Sequence, residues 1–288
     1  MINKKLIVLI EIKSSIISLV KTKARREVMR VMSFNLRSDF ILDFKNRWDD
    51  RKHIVYEIID KYKCDIIGVQ EVNNKMYDDI NSNVKNYNII GSARSKRFFS
   101  ERNNLFIEER HNILKHKTFW LSKSPDKVGS QLWYSLYPRI CTTAVVELKS
   151  GERVRIYNTH LDCFLPQARD FGLKKLGQFI EKNRKEEKLP VIIMGDFNAT
   201  PNSKVIKKFA AGEYSTDRFI AVQEVKKELY SKSTMSSFKG KEKGLHIDYI
   251  FVSEDLEIVD VDIVKDNING KYPSDHYPLI ADIRIKNE

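Results

Sequence analysis

The chain is poor in cysteine. Its three, Cys64, Cys141 and Cys163, show no CxxC or Cys/His spacing and cannot all pair, so neither a disulfide framework nor a zinc site is expected, and a reducing, cytoplasmic setting fits best. No Gly/Pro-rich linker, repeat or low-complexity tract interrupts the 288 residues, which suits one large α/β domain better than two small ones. Several reaction signatures are missing too: there is no G-x-S-x-G elbow, no Gly-rich phosphate loop and no cysteine placed as a nucleophile. Long apolar runs are also absent. The run at residues 6–10 is cut by Glu11 and Lys13 and no A-x-A-like cleavage site follows, so export is not expected.

Positive charge is what the chain has in excess. Fifty-one Lys/Arg against 39 Asp/Glu give a formal +12, a field that favours nucleic acid, phosphorylated metabolites or anionic lipid headgroups, or that serves solubility alone. Part of it sits in a basic extension, residues 1–27, ahead of a single domain at 28–288. There Ile12, Ile16, Leu19 and Val20 share a helical face ringed by Lys13, Lys21, Lys23, Arg25 and Arg26, the pattern of a helix in weak contact with a membrane surface. A second reading makes Met29 the true start, because Arg25-Arg26-Glu27-Val28-Met29 can be encoded by AGGAGG shortly before ATG, as a bacterial ribosome-binding site would be. Residues 1–28 carry seven Lys/Arg and two Asp/Glu, so without them the charge falls to +7 and the case for an anionic partner weakens.

Beyond the extension, short apolar runs end in polar residues of chemically useful types. "VMRVMSFNL" alternates as a strand with Asn35 near its end. "DIIGVQEV" reads as a buried strand ending in Gln70 and Glu71, "VRIYNTHLD" as one ending in His160 and Asp162, and "VIIMGDFNATP" as one ending in Asp196 and Asn198. Shorter strands are expected at 87–90, 104–106, 119–121 and 140–148. "IDYIFVS" and "YPLIADIRI" are late strands, with His246 and Asp248 before one and Ser274, Asp275 and His276 before the other. Helical spacing marks "NRWDDRKHIVYEIIDKYK" and "QARDFGLKKLGQFIEKNRK". Residues 123–138 read as a long loop, and 212–244 as the most polar and irregular part.

Each polar residue has an ordinary structural explanation. Asp196 and Asn198 suit an Asx-turn before a helix cap at Asn202 or Ser203; Glu71 suits the start of a helix. His160 suits a satisfied strand-end histidine, Asp275 a turn, and Asp248 a pair with a nearby lysine. Against this stands their co-occurrence: five elements all place acid, amide or imidazole at a boundary where burial is costly unless the groups are matched. In α/β proteins such strand ends converge on one edge where ligands bind. Hard oxygen donors of this kind suit Mg²⁺ or Mn²⁺ and a phosphoester substrate.

Six ordered motifs, "MSFNLRSD", "DIIGVQEV", "YNTHLD", "IIMGDFNATP", "IDYIFV" and "SDHYPLIADI", resemble the endonuclease/exonuclease/phosphatase superfamily across the whole of residues 28–288. "FWLSKSPDKVGSQLW" followed by "YPRICT" resembles a bacterial branch related to its deadenylase-like members. The resemblance implies an α/β fold, a four-layer α/β sandwich of two packed mixed β-sheets flanked by helices, with the site at one end. It implies Glu71 as principal metal ligand with Asn35 and Asp275 near the ion, Asp196 orienting or deprotonating the attacking water, and Asn198 helping to hold it. His276, oriented by Asp248, would serve as base or cationic stabiliser, and His160 would bond a non-bridging oxygen. Arg139 would contact a substrate phosphate, or stand as a surface residue beside a turn. The implied reaction is direct attack of water on a phosphodiester, in nucleic acid or nucleotides, with no obligate protein partner; a phosphatase or a lipid or inositol phosphodiesterase is the alternative, and a non-catalytic nucleic-acid-binding module a third. Cys163 stands where many relatives carry histidine, and Arg37 where apurinic endonucleases carry an acid.

Overall fold

The computed structural model describes residues 27–97 and 100–286; the basic segment at 1–26 lies outside them, and the surface-helix and late-start readings with it. The elements run β1 (Met29–Asn35), α1 (Trp48–Tyr62), β2 (Ile66–Val72), α2 (Asn74–Asn83), β3 (Tyr87–Ile90), β4 (Arg102–Glu108), β5 (Asn112–Trp120), β6 (Ile140–Glu147) and β7 (Arg153–His160). They continue with α3 (Pro166–Glu186), β8 (Val191–Asp196), α4 (Lys204–Ala210), β9 (Phe219–Ala221), β10 (Asp248–Ser253), β11 (Leu256–Ile263) and β12 (Leu279–Ile285). The strands form two six-stranded sheets, ordered β11-β12-β1-β2-β4-β3 and β5-β6-β7-β8-β10-β9. Each is mixed, with one parallel pair at its centre: β1 with β2, and β7 with β8.

Three apolar layers hold the four structural layers together, and the two-residue period of a strand assigns each side chain to one of them. Met29 and Val31 of β1, Ile156 of β7, Ile192 and Met194 of β8 and Ile250 and Val252 of β10 fill the space between the sheets. The intervening residues face outward: Met32 and Phe34 meet α1 and α2, while Ile193 and Phe251 meet α3 and α4. Burial on both faces explains the nearly unbroken apolar runs in these strands. It also fixes the polar ends: continuing the inward parity, Asn35, His160, Asp196 and Asp248 all point into the gap between the sheets where the core stops. Just below them lies a buried amide layer, in which Gln70 Nε2 donates to Asn158 Oδ1 at 2.7 Å and Asn158 Nδ2 donates to the carbonyls of Val69 and Asn104. Gly68 lets the sheets close over it; a Cβ there would lie 2.5 Å from Met194 Sδ and 2.9 Å from Asn158 Cγ.

Glu71 breaks the parity by means of a bulge. Val69 and Val72 both pack toward the helices, which strict alternation forbids, and the pairing with β4 shifts register between them. The extra residue sits with Glu71 in the left-handed region, φ 64°, and turns its carboxylate to the strand end. Glu71 therefore does not begin a helix; α2 starts at Asn74, where Asn73 Oδ1 accepts from Met76 N. Cys64 and Cys141 are buried, Cys163 is exposed, and none is in a disulfide.

Candidate active site

The C-terminal ends of β1, β2, β7 and β8, the start of β10 and the segment before β12 bring eight of the nine expected residues into one group, all buried but the half-buried Glu71 and Asn198. Asp196 is its hub. Its Oδ1 accepts from Asn198 N at 2.8 Å and its Oδ2 from Asn35 Nδ2 at 3.1 Å, while His160 Nε2 and His276 Nε2 stand 3.6 and 3.8 Å from Oδ2. Asn35 Nδ2 also donates to Glu71 Oε1 at 3.0 Å, and the other Glu71 oxygen accepts from Ser38 N. On the opposite flank His276 Nδ1 meets Asp248 Oδ2 at 2.9 Å. Two potential ligand sets, Glu71–His160–Asp196 and Asp196–Asp248–His276, thus share one carboxylate.

The loop before β12 is tied to β1 through Ser274, whose hydroxyl donates to the Asn35 carbonyl at 2.6 Å and accepts from His276 N. Asp275 beside it lies 3.8 Å from Arg37 Nε. Asn198 takes a left-handed conformation, φ 48°, which turns its amide back toward β7; Nδ2 donates to the Leu161 carbonyl at 3.2 Å and lies 3.0 Å from His160 Nε2. Burial holds the pKa of His160 well below the ordinary histidine value, and the positive charges of Arg139 and Arg94 reinforce this.

His276 is the opposite case. Burial disfavours its charge, but the Asp248 carboxylate overcomes this and pushes its pKa well above the usual value, so the pair is an imidazolium–carboxylate at neutral pH. Asp196 is pushed up to about 7, first by burial and then by the negative charge of Asp248. Burial also works against the Glu71 anion, yet its pKa falls to about 2. A positive charge on His160 would contribute most to that depression, but His160 is neutral at pH 7, so there Ser38 N–H, the Asn35 amide and Arg37 hold the carboxylate.

Arg139 is buried, not a surface residue: its Nη2 donates to Cys163 Sγ at 3.3 Å. Arg94, which sequence reasoning missed, is buried beside it, and the two guanidinium groups face the Tyr137 ring at 4.7 and 6.0 Å. Arg94 pairs with Glu101 at 2.7 Å. No motif marks Arg94, because it comes from the irregular segment between β3 and β4 and reaches the site only through the fold. The group as a whole combines a carboxylate that titrates near neutrality, a fixed imidazolium and buried guanidinium groups, the equipment to activate water beside an anionic centre.

Fold and site together point to one protein family. The family model described as "Endonuclease/Exonuclease/phosphatase family" matches residues 32–276, and the chain belongs to that family. Rat (Rattus norvegicus) Nocturnin is 24% identical over 296 residues, covering 90% of this chain and 66% of its own length, so the chain spans slightly less than two thirds of that relative. An endonuclease/exonuclease/phosphatase family protein from Bacteroides thetaiotaomicron superimposes with a TM-score of 0.82 at 23% identity, covering 92% of this chain and all of the other. A mannosyl-6-phosphatase from Bacteroides thetaiotaomicron VPI-5482 does so with a TM-score of 0.80 at 23% identity, over 88% and 99% of the two chains.

Proposed function

We propose that the protein is a divalent-metal-dependent phosphodiesterase acting on nucleic acid or nucleotides by direct attack of water. The observation that carries this reading is the double membership of Asp196, which faces the Glu71–Asn35 side and the His276–Asp248 side at once. A carboxylate titrating near 7 takes a proton from water at neutral pH. His276, kept protonated by Asp248, supplies positive charge as the phosphoryl oxygens become more negative. His160 and the Leu161 carbonyl brace Asn198 beside the attacking water, and Arg139 faces the substrate phosphate.

The residues fit a divalent cation. Asp196, Asp248 and Asp275 surround the one imidazolium with Glu71 close by, and the negative charges of Asp248 and Glu71 add to burial in raising the pKa of Asp196. Glu71 and Asp275 would hold the ion, oxygen ligands suited to Mg²⁺ or Mn²⁺, with Asn35 beside it orienting the Glu71 carboxylate through Nδ2 while its Oδ1 accepts from Arg37 N. When bound, such an ion supplies charge stabilisation at the phosphoryl group.

A second reading, a phosphatase acting on a small anionic headgroup, is favoured by the buried Arg94–Arg139 pair, since a terminal phosphate carries more charge to be matched than a diester. Hydrolysis of bis-p-nitrophenyl phosphate with Mg²⁺ or Mn²⁺, abolished by EDTA, is expected. The reading is refuted if Asp196→Ala and His276→Ala both keep EDTA-sensitive hydrolysis. Steep loss of activity with salt on polynucleotides, absent on small esters, supports the nuclease over the phosphatase.

A further inference from the structure

Arg51 lies on α1, outside the six ordered motifs, yet it is completely buried and its guanidinium donates to no carboxylate among the described residues. Among the described residues its hydrogen bonds go to main-chain carbonyls. Nη1 donates to Leu36 O and Pro273 O at 2.5 and 2.8 Å, Nη2 to Arg37 O, and Nε to Asn46 O at 2.8 Å. The rings of Trp48 and Phe238 flank it, 5.4 and 5.6 Å from Cζ. One side chain therefore joins α1 to the segment that follows Asn35 and to the residue that precedes Ser274-Asp275-His276.

Two of these carbonyls belong to peptide groups whose other ends serve the site. In a trans peptide the C=O and N–H point in opposite directions. Leu36 O is held by Arg51, and the N–H of the same peptide, that of Arg37, donates to Asn35 Oδ1 at 2.9 Å. Arg37 O is held by Arg51, and the N–H of that peptide, Ser38, donates to Glu71 Oε2 at 3.0 Å. Between the two peptides Arg37 takes φ 54°, a left-handed conformation that a non-glycine residue keeps only when its surroundings impose it. The Pro273 carbonyl brings the same guanidinium to the Asp275–His276 side.

We propose that Arg51 is a positioning residue for hydrolysis: it fixes the Leu36–Arg37 and Arg37–Ser38 peptide planes, which aim the Asn35 amide and the Glu71 carboxylate, and it sets their distance from the Asp275–His276 segment. Lysine can carry the charge but offers three donors from a single nitrogen, whereas the planar guanidinium reaches carbonyls on separate sides. This rests on the phosphoesterase reading for its effect on turnover, not for its effect on the peptide planes.

The test compares wild type, Arg51→Lys and Arg51→Ala by kcat and KM on bis-p-nitrophenyl phosphate with Mn²⁺, by Mn²⁺ titration calorimetry, and by hydrogen exchange at the Arg37 and Ser38 amides. Arg51→Lys is expected to fold, to lose roughly 100-fold in kcat with KM changed little, as misplacement of a catalytic group by about 1 Å does, and to bind Mn²⁺ about 10-fold more weakly. Its Arg37 and Ser38 amides exchange faster while those of β8 do not. In Arg51→Ala, millimolar guanidinium restores kcat per folded molecule and equal urea does not; if this variant fails to fold, Arg51→Lys decides. Arg51→Lys with wild-type kcat and wild-type exchange at both amides overturns the proposal. A wild type that hydrolyses no phosphoester overturns the functional reading instead, and the exchange rates still decide the role of Arg51.

Discussion

Replacing Asp196 by asparagine is expected to abolish turnover and to stabilise the metal-free protein at the same time. The carboxyl is fully enclosed and its pKa is lifted from 3.8 to about 7, so keeping it ionised in the fold costs on the order of 4 kcal/mol. The folded-state value lies above the unfolded one. Stability is therefore undiminished below about pH 4, falls as pH rises between the two values, and levels off above about pH 7. The amide escapes this penalty but cannot accept at both ends. Either Asn198 N or Asn35 Nδ2, which donate to Asp196 at 2.8 and 3.1 Å, then faces an NH₂ group, a loss of about 1–3 kcal/mol. The balance at pH 8 is a gain of about 2 kcal/mol, a rise in Tm of about 4–8 °C in a domain of this size, shrinking to nothing or reversing near pH 4. Catalysis moves the other way, with kcat falling ~10²–10⁴-fold for the loss of a general base. Thermal unfolding in EDTA at pH 8 and pH 4, with turnover in Mn²⁺, reads both effects. An Asp196→Asn protein that is less stable than wild type at pH 8, or that retains turnover, refutes the account of this carboxylate.

The other expectations concern the same site and its scaffold. Mg²⁺ or Mn²⁺ is expected to raise Tm more at pH 8 than at pH 5, because the cation relieves carboxylate repulsion only where Asp196 is ionised; equal shifts at both pH values, read by calorimetry, count against the Glu71–Asp275 site. His276→Gln is expected to lower kcat ~10²-fold or more with little change in fold, and near-wild-type kcat in steady-state assays would remove the imidazolium from the mechanism. Gly195→Ala should cost about 3 kcal/mol or more, since φ is +147° and a Cβ would lie 1.9 Å from the Thr159 carbonyl oxygen; denaturant unfolding measures it, and a loss under about 1 kcal/mol would show that β7 and β8 can separate.

Much of this protein was legible before any fold was known. Apolar runs bounded by polar residues, at the end of β1, β2, β7 and β8 and at the start of β10 and β12, located these strands, because strands buried on both faces must be apolar until they reach a boundary. The six ordered motifs fixed the family and the two-sheet sandwich, and the donors Asn35, Glu71, His160, Asp196, Asn198, Asp248, Asp275 and His276 do meet. Elements whose stability comes from their neighbours were harder to read. α2 is short and rich in Asn and Asp, weak helix formers, and it forms where Met76 and Ile80 cover the sheet. β11 is an edge strand with several exposed positions, and β5 begins at Asn112, well before the apolar residues that mark its end.

What only tertiary structure decided is which group touches which, and in what charge state. Local sequence sets the parity of a side chain along its strand, and so could place Asp196 inward; it cannot say that Asp248 will raise its pKa or that two histidines will flank it. The same holds for His160, which burial and two arginines keep neutral, while Asp248, with Asp196 and Asp275, outweighs burial and keeps His276 charged. Arg51 and Arg94 carry no local signature at all. Their roles come from chain segments far apart in sequence being closed around them, and long-range electrostatics and carbonyl geometry exist only once that closure has happened.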